Sequence, residues 1–278
     1  PRSKILLQAS LRRTSDLLAL VSSNTNFMRL IIMINDIMDL HTHTIVSGHA
    51  YNTLYEMARA AADHGMKVFG STDHAPGGIQ GTCNEVYFKN FKVIPKHLFG
   101  LRLLMGCEVD IIDYQGSVDL KESTLSLLDY AIASIHPQCY TCGTIAQNTA
   151  AYLGVLKNPH VKIIGHPDDG RFPYDHDTLA AAAKEHHVLL ELNNSSLHPT
   201  DGRPHAIENC RDLLERCMHY KTPIILDSDA HIAEDTGNHR RAHKLLQELN
   251  FPEELVVNTS IEKLAAYIPA VLKQDEEE

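Results

Sequence analysis

Short apolar runs alternate with longer mixed stretches along most of the chain. Runs of four to six mostly apolar residues occupy 37–40, 67–71, 102–107, 130–134, 161–164, 188–192 and 223–226. Between them lie helical candidates over 53–64, 85–98, 123–128, 144–157, 177–187, 205–219 and 237–249, and a last one covers 261–272. Strands that alternate with helices predict a parallel sheet, because a helical crossover is what joins parallel neighbours. Seven such units suit a closed or nearly closed α/β barrel better than a small open sheet. Gly65, just past the first helix, suits a helix C-terminus.

Residues 1–36 break this rhythm. The segment opens with Pro1 and shows no alternation. It is expected to be an N-terminal extension with little ordered structure, in which a helix over 11–21 is the one candidate element. Met28, Met33 and Met38 are candidate starts, and Met38 leads directly into the first strand. The barrel domain is assigned to 37–272, and 273–278 reads as a solvated acidic tail.

Charge and composition narrow the partners. The net charge is −10, with no basic stripe, so no nucleic acid is expected as partner. No apolar run approaches the ~20 residues that span a bilayer, and 17–21 and 30–34 are too short for a signal-peptide core. No membrane partner and a cytoplasmic location are therefore expected, and a homo-oligomer is compatible with all of this. The six cysteines read as reduced thiols in a chain of this length; Cys139-x-x-Cys142 lacks a second pair to complete a zinc site.

Histidine is the unusual feature, with 18 copies, many of them in turns that follow the apolar runs. The first run leads into His41-Thr42-His43 and then His49. The second leads into Thr72-Asp73-His74, the third into Glu108, the fourth into His136, the fifth into Gly165-His166-Pro167 and the seventh into Asp229-Ala230-His231. In a parallel barrel those places face one mouth, where barrel enzymes keep their active sites. Residues at i and i+2 on a strand project to one face, so His41 and His43 can address one ion, as can Asp229 and His231. A single histidine at a strand end is usually a satisfied polar residue. The whole set is another matter, because so many ionisable groups at one mouth would perturb one another badly unless cations were bound.

Asp39-Leu40-His41-Thr42-His43, His49, Thr72-Asp73-His74, Glu108, His136, Gly165-His166-Pro167 and Asp229-Ala230-His231, in that order, resemble the PHP (polymerase and histidinol phosphatase) superfamily. Ser47-Gly48-His49-Ala50-Tyr51 and the stretch 190–196 favour its small YcdX-like phosphatase branch. The resemblance covers about residues 37–272. It implies a distorted (β/α)7 barrel, TIM-barrel-like, with the metal site at the C-terminal ends of the strands and about three metal ions, usually zinc. His41, His43, Glu108 and Asp229 would hold one ion. Glu108 would bridge to a second, held also by His136 and His166, while His49, His74 and His231 would hold the third. Imidazole with a few carboxylates suits Zn2+, Mn2+ or Fe2+ alike.

The activity so implied is that of a phosphatase, a phosphoric monoester hydrolase acting on a small phosphorylated substrate. Bound divalent ions would outweigh Glu108 and Asp229 and leave the pocket positive inside an acidic protein, which suits a phosphate ester. The expected mechanism is attack on phosphorus by a metal-activated water, with no covalent enzyme intermediate. Asp73 and Arg171 complete the candidate catalytic set. Asp73 faces away from His74 on an ideal strand, which favours an orienting role over direct acid chemistry. Arg171 could grip a phosphate or be a plain surface arginine. Asn193 and Asn194 either line the mouth or stabilise a turn. His176, His186, His187, His198, His205, His219, His239 and His243 read as surface or structural. Three rival functions use the same residues: a PHP-type exonuclease or phosphodiesterase, an amidohydrolase-like C–N hydrolase and a non-enzymatic metal-binding protein. The first lacks a basic groove, and the second lacks a strand-end lysine of the kind that bridges metals.

Overall fold

A computed structural model of the chain describes residues 34–79, 83–200 and 202–273. The candidate helix over 11–21 and the acidic residues from 274 on lie outside them. All seven apolar runs form parallel strands: β1 (Met38–Asp39), β2 (Val68–Ser71), β4 (Leu101–Asp110), β5 (Tyr130–Ser134), β6 (Val161–Ile164), β7 (Leu189–Asn193) and β8 (Ile224–Asp227). They pair in the order β1-β2-β4-β5-β6-β7-β8, each with its neighbour in parallel. The helices between them are α1 (Leu54–Asp63), α2 (Glu85–Lys89), α3 (Glu122–Leu125), α4 (Ile145–Val155), α5 (His176–His186), α6 (Ala206–Tyr220), α7 (Arg240–Leu249) and α8 (Ile261–Ala265). Capping boxes at Thr53/Glu56 and Thr144/Gln147 satisfy the first turns of α1 and α4. Among the described residues no helix is long and apolar enough to cross a membrane.

Two cores follow from the two-residue period of the strands. Phe69, Leu103, Met105, Ala131, Ile164 and Leu190 pack outward against the helices. Met38, Val68, Leu104, Tyr130, Ile132, Ile163, Leu189 and Ile225 form a separate cluster inside the ring, together with Leu264, Ile268 and Val271 near the chain's end. Followed along each strand at that period, the inner positions change from apolar to ionisable. Leu104 gives way to Gly106 and Glu108, Ile132 to Ser134 and His136, Leu189 to Glu191 and Asn193, and Ile225 to Asp227 and Asp229. The buried Tyr130 fills the layer between, and its hydroxyl donates to the Leu40 carbonyl at 2.5 Å. A Cβ at Gly70 would lie 2.1 Å from that hydroxyl, and one at Gly106 would lie 2.9 Å from the ring, so both glycines make room for it.

The barrel is nearly closed, and its seam between β8 and β1 is stitched mainly by side chains. One bridge joins Thr42 to Ala230. Below it, Leu40 N–H donates to Asp227 Oδ1 at 2.7 Å and Ser228 N–H donates to Asp39 Oδ1 at 3.1 Å. The fully buried Asn258 amide donates to the carbonyls of Met38 (3.1 Å) and Leu226 (2.7 Å) and accepts from Leu226 N–H (2.8 Å).

The expected helix over 85–98 is shorter than its pattern. It breaks into α2, a 3-10 turn at Phe91–Val93 and a strand β3 (His97–Leu98) antiparallel to the start of β4. Pro95 explains this, since it drives Ile94 to extended backbone (ψ 127°) and withholds an amide donor. Phe99 and Gly100, both at positive φ, make the two-residue hairpin turn. The last helix likewise stops at Ala265 and resumes as a 3-10 turn at Pro269–Leu272. Strand β4 runs past the expected 107 to Asp110, so Glu108 sits within a strand rather than after one. Ile34 and Asp36, assigned from sequence to the extension, pack onto the barrel: Ile34 joins the outer core and Asp36 meets His239 and His243.

Replacing Asn258 with Ala should leave the Leu226 amide and two carbonyls buried without partners. At roughly 1–3 kcal/mol for a buried unsatisfied group, the expected loss is about 2–4 kcal/mol in urea unfolding. A wild-type midpoint and slope would show that the seam does not depend on this side chain.

Candidate metal centre

The inner positions at the strand ends converge on one carboxylate. Glu108, buried in β4, turns Oε2 towards His74 Nδ1 (3.0 Å), His41 Nε2 (3.4 Å) and His43 Nε2 (3.4 Å). Its Oε1 faces His166 Nε2 (2.9 Å) and His136 Nε2 (3.5 Å). Asp229 Oδ1 closes the other side, 3.3 Å from His43 Nε2 and 3.7 Å from His41 Nε2. His231 and His49 stand at the rim with their Nε2 atoms 2.9 Å apart. His49, His74, Glu108, His136, Arg203, Asp229 and His231, with Ile79 and Gln138, line a cavity of about 220 Å³. All nine residues expected as metal ligands are thus brought together.

Five of the seven imidazoles are held at Nδ1 by a neighbour, which turns Nε2 to the cavity. His41 Nδ1 bonds Glu191 Oε1 at 2.7 Å, and His136 Nδ1 bonds Asp110 Oδ1 at 2.6 Å. His49 and His231 use Nδ1 on the carbonyls of Ser47 and Asp229, both at 3.0 Å. His43 Nδ1 bonds the Ser47 hydroxyl (2.9 Å), which in turn donates to Asp73 Oδ1 (2.7 Å). With Nδ1 donating in these five, each Nε2 lone pair points into the cluster, the arrangement that metal-ligating histidines use. Backbone geometry contributes as well. His166 (φ 28°) and Asp229 (φ 56°) lie in the left-handed region, which non-glycine residues rarely adopt.

The electrostatics ask for cations. Burial works to raise the Glu108 carboxyl, but His41, His136 and His74 around it hold it well below the usual carboxylate range. Asp229 behaves alike: burial is overridden by His41, His43 and Arg203. His41 is pushed the other way, since burial lowers it but Glu191, Glu108 and Asp229 raise it well above an ordinary imidazole. His74 is raised against burial by Glu108. Burial keeps His43 and His49 low, aided by His231 and His74, and takes His166 down to about 4 with help from Arg203. The buried nitrogens His41 Nε2, His43 Nε2 and His74 Nδ1 make no hydrogen bond. Two ring nitrogens at 2.9 Å, as in His49 and His231, repel if both present lone pairs. A set of orphaned nitrogens around two ionised carboxylates fits divalent transition ions. The triads His41/His43/Glu108, His74/Glu108/His136 and His43/His74/His231 each have their ligand atoms within 4.8 Å.

Two expected residues are not brought to the cavity. The Asp73 carboxylate is spent on Thr44 N–H (2.7 Å), the Thr44 hydroxyl (2.8 Å), Ser47 and the Tyr87 hydroxyl (2.8 Å). It acts on the cluster only by holding the loop that carries Ser47. Arg171 makes its ion pair with Asp169, at 2.6 Å, and its side chain is 45% exposed. Asn193 lines the centre, donating to Glu191 Oε2 (3.1 Å) and Asp229 Oδ2 (3.2 Å), whereas Asn194 caps α7 by accepting from Arg241 N–H at 2.8 Å.

Sequence reasoning missed Arg203 and undervalued Glu191. Arg203 bonds Asp229 Oδ2 (3.1 Å) and the Ser196 hydroxyl (2.7 Å) while lining the cavity. It sits in a loop that no periodicity marks. Glu191 had a legible signal, because it is a charged residue in the middle of a buried strand run.

Residues 39–199 match the PHP domain family. A protein from Clostridium novyi, named a probable phosphatase, is 41% identical over 232 residues, covering 84% of this chain and 94% of its own. One from Acetivibrio thermocellus with the same name is 43% identical, covering 84% and 95%. Among solved structures, histidinol phosphate phosphatase from Lactococcus lactis, in complex with zinc, L-histidinol and phosphate, is similar in fold. It has a TM-score of 0.54 at 18% identity over 78% of this chain and 95% of its own. A structure from Listeria monocytogenes, named a putative histidinol phosphatase, gives 0.53 at 19% identity, covering 72% and 97%.

Ligation requires unprotonated imidazole, and the surrounding carboxylates favour protonation of His41 and His74, so ions loading the centre compete with protons there. Zinc added to metal-free protein at pH 7 should therefore release protons, and affinity should fall as pH is lowered. Calorimetric titration in buffers of different ionisation enthalpy measures this; zero proton release would show that the incoming ions meet no protonated histidine.

Proposed function

The chain belongs to the PHP domain family, and we propose that it hydrolyses a small phosphate monoester at a centre of about three transition-metal ions, with zinc the first candidate. The observation that carries this reading is the division of Glu108 between two groups of histidines, one on each carboxylate oxygen. A carboxylate so placed would help to hold two ions, one together with His41, His43 and Asp229 and the other with His136 and His166. His49, His74 and His231 would hold the third. The Lactococcus lactis barrel, similar in fold, carries zinc together with phosphate, and curated relatives above 40% identity are named probable phosphatases.

Divalent ions held here would supply an ionised water near neutral pH and neutralise the phosphoryl oxygens. The protein's own groups do the rest. Glu191, Asp110 and Ser47 hold the Nδ1 atoms of His41, His136 and His43 and so favour Nε2 as the ligating nitrogen of each. Asn193 and Arg203 tie up Asp229 Oδ2 and leave Oδ1 to the ion side. Arg203 keeps further N–H donors at the cavity wall, where a guanidinium can grip a phosphoryl oxygen. The cavity of about 220 Å³ has room for a phosphoryl group and a short leaving group. A cytoplasmic setting belongs to the proposal, and the six free thiols suit it.

The test is metal analysis of the purified protein together with phosphate release from a panel of monoesters. Metal-replete protein that releases no phosphate from any of them would overturn the proposal. Glu108→Gln should lower bound metal and activity together. Arg203→Met should lower kcat/KM by about 10²–10³, the cost typical of removing one electrostatic donor, with the metal content kept. Arg171→Ala should stay near wild type, because its guanidinium is committed to Asp169. A loss in that variant as large as for Arg203 would reverse the assignment.

A further inference from the structure

A second group of ligand-type side chains lies apart from the centre, where the chain enters β1. We propose that Asp36, His239 and His243 form a separate site for a single borderline divalent ion such as Zn2+, tying the approach to β1 to the start of α7. One ligand atom from each lies within 4.8 Å of the others. His239 Nδ1 contacts Asp36 Oδ2, and His243 Nε2 lies 3.1 Å from the same oxygen. Ligands at about 2.0–2.1 Å from a tetrahedral zinc stand roughly 3.3 Å apart, so the second spacing needs little adjustment. His239 is the residue that precedes α7 and His243 lies in its first turn, and the four-residue interval puts them on the same side of the helix start.

Three observations favour an ion over a plain hydrogen bond. His243 Nε2 is buried and makes no hydrogen bond despite its closeness to Asp36, so it is aimed at some other point than that oxygen. His239 is wholly buried, and its Nε2, also without a hydrogen bond, lies 3.7 Å from Asp39 Oδ1, which leaves Nδ1 as the nitrogen turned to Asp36. The side chains of Asp36 and His243 keep 13% and 22% exposure, so the group lies close to the surface. The Asp36 charge also offsets the positive end of the α7 dipole, which would otherwise oppose a cation. The Asp39 carboxylate is occupied by Ser228 and Gly237 and is not counted as a ligand.

The probe is Zn2+ alone. Wild type, Asp36→Asn, His243→Ala and the bulkier His243→Gln are dialysed against zinc, and bound metal is counted per folded chain, with circular dichroism checking the fold. The variants should each hold one zinc fewer than wild type, gain less thermal stability on zinc addition and release phosphate at the wild-type rate. Equal zinc content in all four proteins would overturn the site and leave only a shared proton. The metal count does not depend on phosphatase activity, so failure of the proposed reaction and failure of this site are read separately.

Discussion

A carboxylate cannot be buried alone, and the upper half of this barrel is organised around that constraint. Glu108 has almost no contact with water. Removing such a charge from solvent costs several kcal/mol unless positive charge replaces the lost hydration. Five imidazoles within 3.5 Å respond to it. Yet they cannot all be protonated, because they crowd one another, and burial with their neighbours drives His43 well below its ordinary value. Neither all-protonated nor all-neutral imidazoles balance the site. Divalent cations do, which is why the metal reading and the fold support each other.

The same constraint explains the ring of polar residues behind the histidines. Glu191, Asp110, Ser47 and the backbone carbonyls of Ser47 and Asp229 each take an Nδ1 and so turn an Nε2 inward. Asp73 belongs to this outer ring. Three of its four bonds hold Thr44 and Ser47, the fourth goes to the Tyr87 hydroxyl, and Ser47 in turn meets His43. A cavity whose side chains are fixed in this way loses little entropy on binding an ion.

Below the cluster, the barrel separates chemistry from packing by height. Tyr130, accommodated by Gly70 and Gly106, divides an apolar floor from a polar mouth. The seam is weak in strand pairing and strong in side-chain hydrogen bonds, with Asn258, Asp39 and Asp227 standing in for a ladder. Those buried polar groups hold β1 beside β8, and with it His41 beside Asp229: Asp229 N–H donates to the His41 carbonyl at 2.9 Å.

Strand number, parallel order and the nine residues that gather at the mouth were all legible in the amino-acid order. Periodicity marks buried strands, and ionisable residues repeated at their ends are costly to keep without a purpose. The same reading overextended the helix before Pro95, because amphipathic spacing outweighed a local backbone restriction. Which groups face one another across units far apart in the chain became visible only in three dimensions. Arg203 lies at the cavity although its loop carries no pattern, Arg171 turns to Asp169, and Asp36 meets two histidines near the opposite end of the chain. Pattern along a chain reports burial and local backbone preference. It carries no information on the direction of a loop side chain, which is set by the positions of the charges folded around it.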